Sequence, residues 1–291
     1  IGPNTSPFTG REGKFSTARQ IEERLTRELE TNLSLRLERL STGHFKISGR
    51  GELHLAVLLE TLRREGYEME VSKPEVIFKE VGSVTKEPVE EVSIIVPKDY
   101  LGVISQEMGK RLGKLLKMEP ITDSEVEFIY HMPTRNILGL RSILLTATKG
   151  TTIFNSVVYG YQEVGPTLPK LRKGVIISGE TGPALAYGMN TAQGRGATFI
   201  EPGTQIYEGM IVGLNAKDED IEINVTKGKK LTNMRSKSSD GVIQLEPATI
   251  LSLEQSLDFL ENDELLEITP TSLRLRKKYL TEIERRRQRR S

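Results

Sequence analysis

The residues with most chemistry to offer fall in one run, Gly228-Lys229-Lys230-Leu231-Thr232-Asn233-Met234-Arg235-Ser236-Lys237, directly after Lys227. Five bases and no acid lie between Lys227 and Lys237. Lys and Arg neutralise phosphates, while Thr232 and Asn233 supply neutral groups able to reach sugars and base edges. The run contains no aromatic residue, so base stacking is not its means of binding. The expected RNA- or tRNA-binding residues are therefore Lys227, Lys229, Lys230, Thr232, Asn233, Arg235 and Lys237. A second basic stretch, Arg274–Arg290, supplies secondary RNA contacts: Arg274, Arg276, Lys277, Lys278, Arg285, Arg286 and Arg287. The two stretches together carry +12, whereas residues 167–291 as a whole carry only +2 and the full chain +1. Segregation on that scale points to a focused positive surface facing an anionic partner. The plain alternatives are a solvated loop and a solvated tail.

Other chemistries lack their residues. There is no Cys, which removes disulfides, thiolate zinc sites and Cys nucleophiles. The three His residues, His44, His54 and His131, share no metal-binding spacing. No GxxxxGK[ST] loop is present; Gly179-Glu180-Thr181-Gly182 and Gly194-Arg195-Gly196 read as tight turns. Asp218-Glu219-Asp220 reads as a solvated hairpin tip without calcium-loop spacing. His54, on an amphipathic segment just after a Gly turn, reads as a packed or capping residue. No catalytic residue and no metal site is expected.

The elements that must position the basic run show three textures. Residues 1–15 are rich in Gly, Pro, Asn and Thr and read as a leader or linker. Over 16–80 the order is α-β-β-α-β, with Thr17 and Gln20 able to cap the first helix and Leu55, Leu58, Leu59 and Leu62 forming the apolar face of the second. One strand at or before Ile1 would complete a split β-α-β unit. Over 81–165 the order β-α-β-β-α-β is complete, with helices expected at Tyr100–Leu115 and Arg135–Thr148. Residues 166–291 break into short strand-like runs, among them Ile221–Val225 and Val242–Leu245, which read as a β-rich domain. One helix, capped by Ser252 and Gln255, interrupts it, and Thr281 with Glu284 can cap a short basic terminal helix. The fold class is α+β: two tandem ferredoxin-like domains, then a β-rich C-terminal domain with a short helix.

Composition agrees with a globular chain. Of 291 residues, 36% are hydrophobic and 28% charged, too apolar for a disordered chain. No apolar stretch approaches the roughly 18 residues of a membrane span, and no signal peptide opens the chain. The absence of Cys fits a reducing cytosol. Ile1 in place of Met suggests a piece of something longer.

Several motifs together resemble a known family. Ser48-Gly49-Arg50-Gly51-Glu52-Leu53-His54-Leu55, followed by Ser72-Lys73-Pro74 and Val76, resembles domain III of translational GTPases of the elongation factor G type. The second ferredoxin-like unit resembles domain V of those factors, with no counterpart of their domain IV between. Gly10-Arg11-Glu12-Gly13-Lys14-Phe15, Gly179–Gly182, Gln193–Gly196, Tyr207–Gly213, Gly228–Arg235 and Asp263–Thr271 resemble the BipA/TypA family. That family usually has an acid where this chain has Gly194. The resemblance covers almost the whole chain and implies its C-terminal half.

The resemblance implies a ribosome-associated GTPase acting in translation, large-subunit assembly, and cold or stress adaptation. It implies partners: the ribosome, through rRNA and ribosomal proteins near the factor-binding site, and A-site tRNA, reached by a loop matching Lys229–Arg235. It implies that GTP and Mg belong to an N-terminal domain missing here, leaving this chain a non-enzymatic cytoplasmic monomer without cofactor or membrane contact. A stand-alone RNA-binding or assembly module without a GTPase partner is the alternative. A hydrolase on this scaffold lacks any nucleophile–base pair.

Overall fold

A computed structural model of the chain describes residues 1–228 and 243–288. It begins with strand β1 (Gly2–Pro3) and helix α1 (Ala18–Thr31), started by the expected capping box: Thr17 Oγ1 accepts from Gln20 N, and the Gln20 side chain reaches back to Thr17 N. Strands β2 (Arg36–Arg39) and β3 (Phe45–Ser48) form a hairpin, then come α2 (Glu52–Arg64) and β4 (Met69–Ser72). Ile1 and Phe45 exchange backbone hydrogen bonds of 2.7 and 2.9 Å, and Gly2 and Pro3 pair with Glu70 and Met69. The strand order β2-β3-β1-β4 is therefore that of a split β-α-β unit, its first strand at the start of the chain as anticipated. Leu33 is 92% exposed, in a turn closed by Leu35 N–H and Asn32 O that precedes β2.

The chain continues through β5 (Lys79–Val81), β6 (Val84–Pro97), α3 (Leu101–Lys110), β7 (Lys114–Pro120), β8 (Glu125–Pro133), α4 (Thr134–Ile137), α5 (Leu140–Ala147) and β9 (Ile153–Glu163). β6 lies between β8 and β9, and β7 flanks β8, so this sheet repeats the ferredoxin-like order. Val92, Ile94, Val96, Phe128 and Tyr130 alternate inward against Ile104, Met108, Leu140 and Leu144. Two expected helices are shorter than their periodicity suggests. α3 stops because Leu112 takes φ +56°, and the expected second helix breaks at Gly139, φ +68°. Leu112, past the end of α3, is consequently half-exposed.

Next come β10 (Val175–Ser178), β11 (Gly182–Pro183), α6 (Ala186–Gln193), β12 (Gly196–Thr198), β13 (Gln205–Ile206), β14 (Ile211–Asn215) and β15 (Ile221–Ile223). β12, β14, β10 and β15 form one sheet and β11 and β13 a two-stranded ribbon. Helix α7 (Leu253–Phe259) carries the expected Ser252–Gln255 box. The strands β16 (Glu264–Ile268) and β17 (Leu273–Lys277) and the helix α8 (Glu282–Gln288) close the chain. α6 was not anticipated. Of the expected strand Val242–Leu245, Val242 lies outside the described residues, and Ile243–Leu245 form no strand.

Compactness divides the chain differently from sequence texture. Ile1–Lys73 and Arg172–Ser291 form one unit and Pro74–Leu171 the other. The physical reason is strand pairing: β16 adds to β4, with Leu265 opposite Ser72 and Ile268 opposite Met69, and β17 adds to β16. The expected domains 16–80 and 166–291 thus share one sheet and one apolar cluster, in which Leu62 and Met69 meet Leu257, Leu266 and Ile268. Residues 1–15 are no linker either. Asn4, Ser6 and Phe8 are buried, and the Phe8 ring meets Tyr207 edge-on at 5.0 Å.

Candidate nucleic-acid interface

The basic run leaves the first unit beyond β15. Val225 is buried, and its carbonyl accepts from Leu185 N–H at 2.9 Å, which ties the strand's exit to the start of α6. α6 can lie this close because residue 188 is Gly: a Cβ there would stand 2.5 Å from Val225 O. Lys227 is exposed, and Gly228 lies beside Leu185. Lys229, Lys230, Thr232, Asn233, Arg235 and Lys237 lie outside the described residues. On the return, Gln193, the last residue of α6, donates from Nε2 to Glu246 O at 2.8 Å and accepts from Glu246 N–H at 3.0 Å. Thr249 N–H then donates to Thr198 O. The exposed face of α6 between these points carries Tyr187, Asn190 and Thr191 and no charge.

The second basic stretch is largely turned inward, which corrects its reading as an RNA surface. β17 places Arg274, Arg276 and Lys277 where they are 9%, 2% and 3% exposed. Arg274 bonds Glu12 and, at 2.8 Å, Glu267. Arg276 bonds Glu70 at 2.6 Å, and Lys277 meets Asp220, Asp263 and Glu264 at 2.7–2.9 Å. Arg285, in α8, pairs with Glu222 at 2.6 Å and bonds the carbonyls of Tyr279 and Leu280. A buried cation persists only when paired, so these four serve the fold and are not free to meet phosphates. Asp220, expected at a solvated tip, is one of those partners and also accepts from Val175 N–H. Lys278, Arg286 and Arg287 remain exposed; Arg286 also pairs with Glu282 on the surface.

The paired carboxylates are shifted accordingly. Burial pushes the Glu70 carboxyl up, but Arg276 and the hydrogen bonds of Thr5 outweigh it and hold it below the usual carboxylate range. Glu12 behaves likewise: burial is outweighed by Thr269, Thr271 and Arg274. Burial favours a neutral Lys277, yet its three acids hold its ammonium above the usual lysine value. Burial first and Glu267 second push the Tyr207 phenol well above its ordinary value. Tyr207 donates to Glu267 Oε2 at 2.8 Å, and Asn4 donates to Glu267 and Glu68.

His54 holds a turn: Arg50 N–H donates to its Nδ1 at 3.1 Å, and the Asn32 carboxamide lies 2.8 Å from its Nε2. Among the described residues no group of three or more His, Cys, Asp or Glu could hold a metal ion, and no helix is long and apolar enough to cross a membrane. In the sequence Gln193 stands only within a motif, with nothing to mark its two hydrogen bonds to Glu246. The available signal was an uncharged polar stretch, Tyr187–Gly194, in a chain where 28% of residues are charged.

Comparisons with known proteins match these parts separately. Residues 173–282 match the family described as TypA/BipA C-terminal domain, and residues 84–171 match elongation factor G C-terminus. The large ribosomal subunit assembly factor BipA of Bacillus subtilis (strain 168) is 46% identical over 284 residues, covering 97% of this chain and 46% of that protein. The proteins of the same name from Salmonella typhimurium and Escherichia coli (strain K12) are each 44% identical over 286 residues, covering 98% of this chain and 47% of each. The chain thus spans about half the length of the curated relatives it matches. Motifs, fold and relatives agree: the chain belongs to the TypA/BipA family, as its C-terminal half.

Proposed function

We propose that this chain is the ribosome- and RNA-contacting part of a translational GTPase that acts in assembly of the large ribosomal subunit. The observation that carries this reading is identity of 44–46%, over nearly the whole chain, to proteins named large ribosomal subunit assembly factors. The match of residues 84–171 to the C-terminus of elongation factor G supports binding near the ribosomal factor site. In this reading the basic segment Lys227–Lys237 grips RNA phosphates, with A-site tRNA as its partner, and Thr232 and Asn233 reach sugar or base edges. The chain works in the cytoplasm as a monomer. GTP and Mg are bound by a GTPase domain outside it, so it neither hydrolyses GTP nor carries a cofactor itself.

The test is salt-dependent binding of the chain to isolated large ribosomal subunits and to tRNA. Each phosphate contact on single-stranded or irregular RNA contributes about 0.7 to the slope of log K against log salt. Replacing Lys229, Lys230 and Arg235 by Ala should flatten the line by roughly two units. Thr232→Ala or Asn233→Ala should weaken binding with the slope kept. If Arg286→Ala with Arg287→Ala removes the slope while the triple variant keeps it, the basic segment is not the site. Saturable binding of labelled GTP at micromolar concentration would refute the division of labour.

A further inference from the structure

Residues 4–13 form a loop whose two ends lie side by side at the start of β4. Before the loop, Pro3 pairs with Met69; after it, Lys14 N–H donates to Gly66 O at 2.9 Å and Phe15 pairs with Tyr67. Between these fixed points the loop holds its own shape. Thr9 N–H donates to Ser6 O, Arg11 N–H to Phe8 O, and the Thr9 hydroxyl to Asn4 O. Adjoining ends and internal bonds make it a compact Ω-type loop. Asn4, Ser6 and Phe8 are buried beneath it, whereas Thr5, Pro7 and Thr9 are exposed. Its fastening to the sheet below is chiefly polar. The fully buried Glu68 accepts from Asn4 Nδ2 at 2.7 Å, Gly10 N–H at 2.9 Å and Gly13 N–H at 3.1 Å, donors that all belong to the loop. Glu70 accepts from the Thr5 N–H and hydroxyl at 2.8 and 2.7 Å, and Glu12 meets Arg274. Phe8 enters the apolar cluster around Tyr207; among the described residues the unit's larger cluster takes nothing from the loop.

We infer that residues 4–13 are a lid, hinged at Pro3 and Lys14, and that Glu68 is its latch. Lifting the lid breaks bonds to carboxylates that regain water as they part, and withdraws one ring from an apolar cluster. The ladders joining β4, β16 and β17 and the packing of α1, α2 and α7 stay whole. A segment held in this way opens at a lower free energy than the fold as a whole. Closed, the lid covers a face on which Glu267 and Glu70 pair with Arg274 and Arg276 and Tyr207 donates to Glu267. Open, it gives that face to solvent. Gly13 fits the latch closely, since a Cβ there would stand 2.5 Å from Glu68 Cβ.

The experiment is native-state hydrogen exchange on the 291-residue chain, comparing the peptide that spans the lid with peptides from β16 and β17. In the unaltered chain the lid amides of Thr5, Gly10 and Gly13 should exchange faster than those of β16, although all three are hydrogen-bonded. Glu68→Gln keeps the side chain's shape but turns an N–H₂ toward the lid's donors. Lid exchange should then quicken by about tenfold or more, the loss of a hydrogen bond to a charged group. Ile21→Val, in the larger cluster and remote from the latch, is the counterpart. It should quicken exchange in β16 and β17 by about twofold to tenfold and leave the lid rate as it was, because the lid opens without disturbing that cluster. Lid and strand rates that rise together in Ile21→Val would show that the loop opens only with the whole unit, which overturns the lid. Lid exchange unmoved by Glu68→Gln overturns the latch. Should Glu68→Gln not fold, the unaltered chain and Ile21→Val still decide whether the lid opens alone.

Discussion

Tyr207 and Glu267 show how the interior of the first unit is held by polar groups that have no local signature. Glu267 is fully buried and receives Tyr207, Asn4 and Arg274. Tyr207→Phe keeps the ring contact with Phe8 but withdraws one hydrogen bond to a buried carboxylate, and should cost about 1.5–3 kcal/mol in urea unfolding. The effect carries a pH signature. A phenol raised above its unfolded value near 10 stays protonated in the native state while the unfolded chain ionises. Native stability is therefore fully present below about pH 10 and declines above it. The Phe variant lacks that decline, so the stability gap between the two proteins should narrow as pH rises past 10. A gap that stays constant would show that the phenol is not shifted as described. Lys277, also raised, adds to the alkaline loss in both proteins. On the acid side Glu12 and Glu70 are held low, so their contribution is present above about pH 4.3 and lost as pH falls through their native values.

Among the elements, what could be read from sequence was what is local. The capping boxes at Thr17 and Ser252 need only two residues three apart, and the structure contains both. Ser252→Ala should cost about 1 kcal/mol, measured as a lowered denaturation midpoint with an unchanged slope. The strand alternation at Val92–Val96 was equally legible, because one buried face imposes a period of two. Helix α6 was not, for it has no side-chain cap, and its Gly188 serves close packing rather than propensity. The inward turn of β17 was illegible for a different reason: beside its hairpin partners it needs distant ones, Glu12 standing 262 positions from Arg274 and Glu70 206 from Arg276. From charge counting alone such residues look like a binding surface. Gly209 marks another long-range constraint. It takes φ +86°, and a Cβ there would lie 2.6 Å from the Leu280 backbone. Gly209→Ala should therefore cost roughly 2–5 kcal/mol, part conformational and part steric. A near-neutral result by thermal denaturation would mean that Leu280 yields freely.

At the scale of the molecule, chain order and compactness part company, since Pro74–Leu171 is inserted between two pieces of one unit. The places where the insertion leaves and re-enters that unit are held by the same short stretch. Lys73 bonds Glu261 at 2.9 Å, and Ser72 lies opposite Leu265 in the sheet. Arg172 bonds Glu264, donates to Phe259 O at 2.8 Å and stacks on the Phe259 ring. Both cut ends thus lie beside residues 259–265, the circumstance in which a domain can be inserted or removed with little strain. The inserted unit has its own five-stranded sheet and its own apolar cluster, complete without residues from the rest. Replacing 74–171 by a short Gly-Ser linker between Lys73 and Arg172 should leave a first unit that unfolds in one cooperative transition. Residues 74–171 alone should likewise fold, with a smaller denaturant slope because less surface is exposed on unfolding. The basic segment belongs to the first unit, so the linker variant should keep the salt slope of the intact chain for tRNA. A linker variant that folds but loses that slope would move the phosphate contacts to the inserted unit. One that fails to fold would show that the first unit depends on the insertion for its stability.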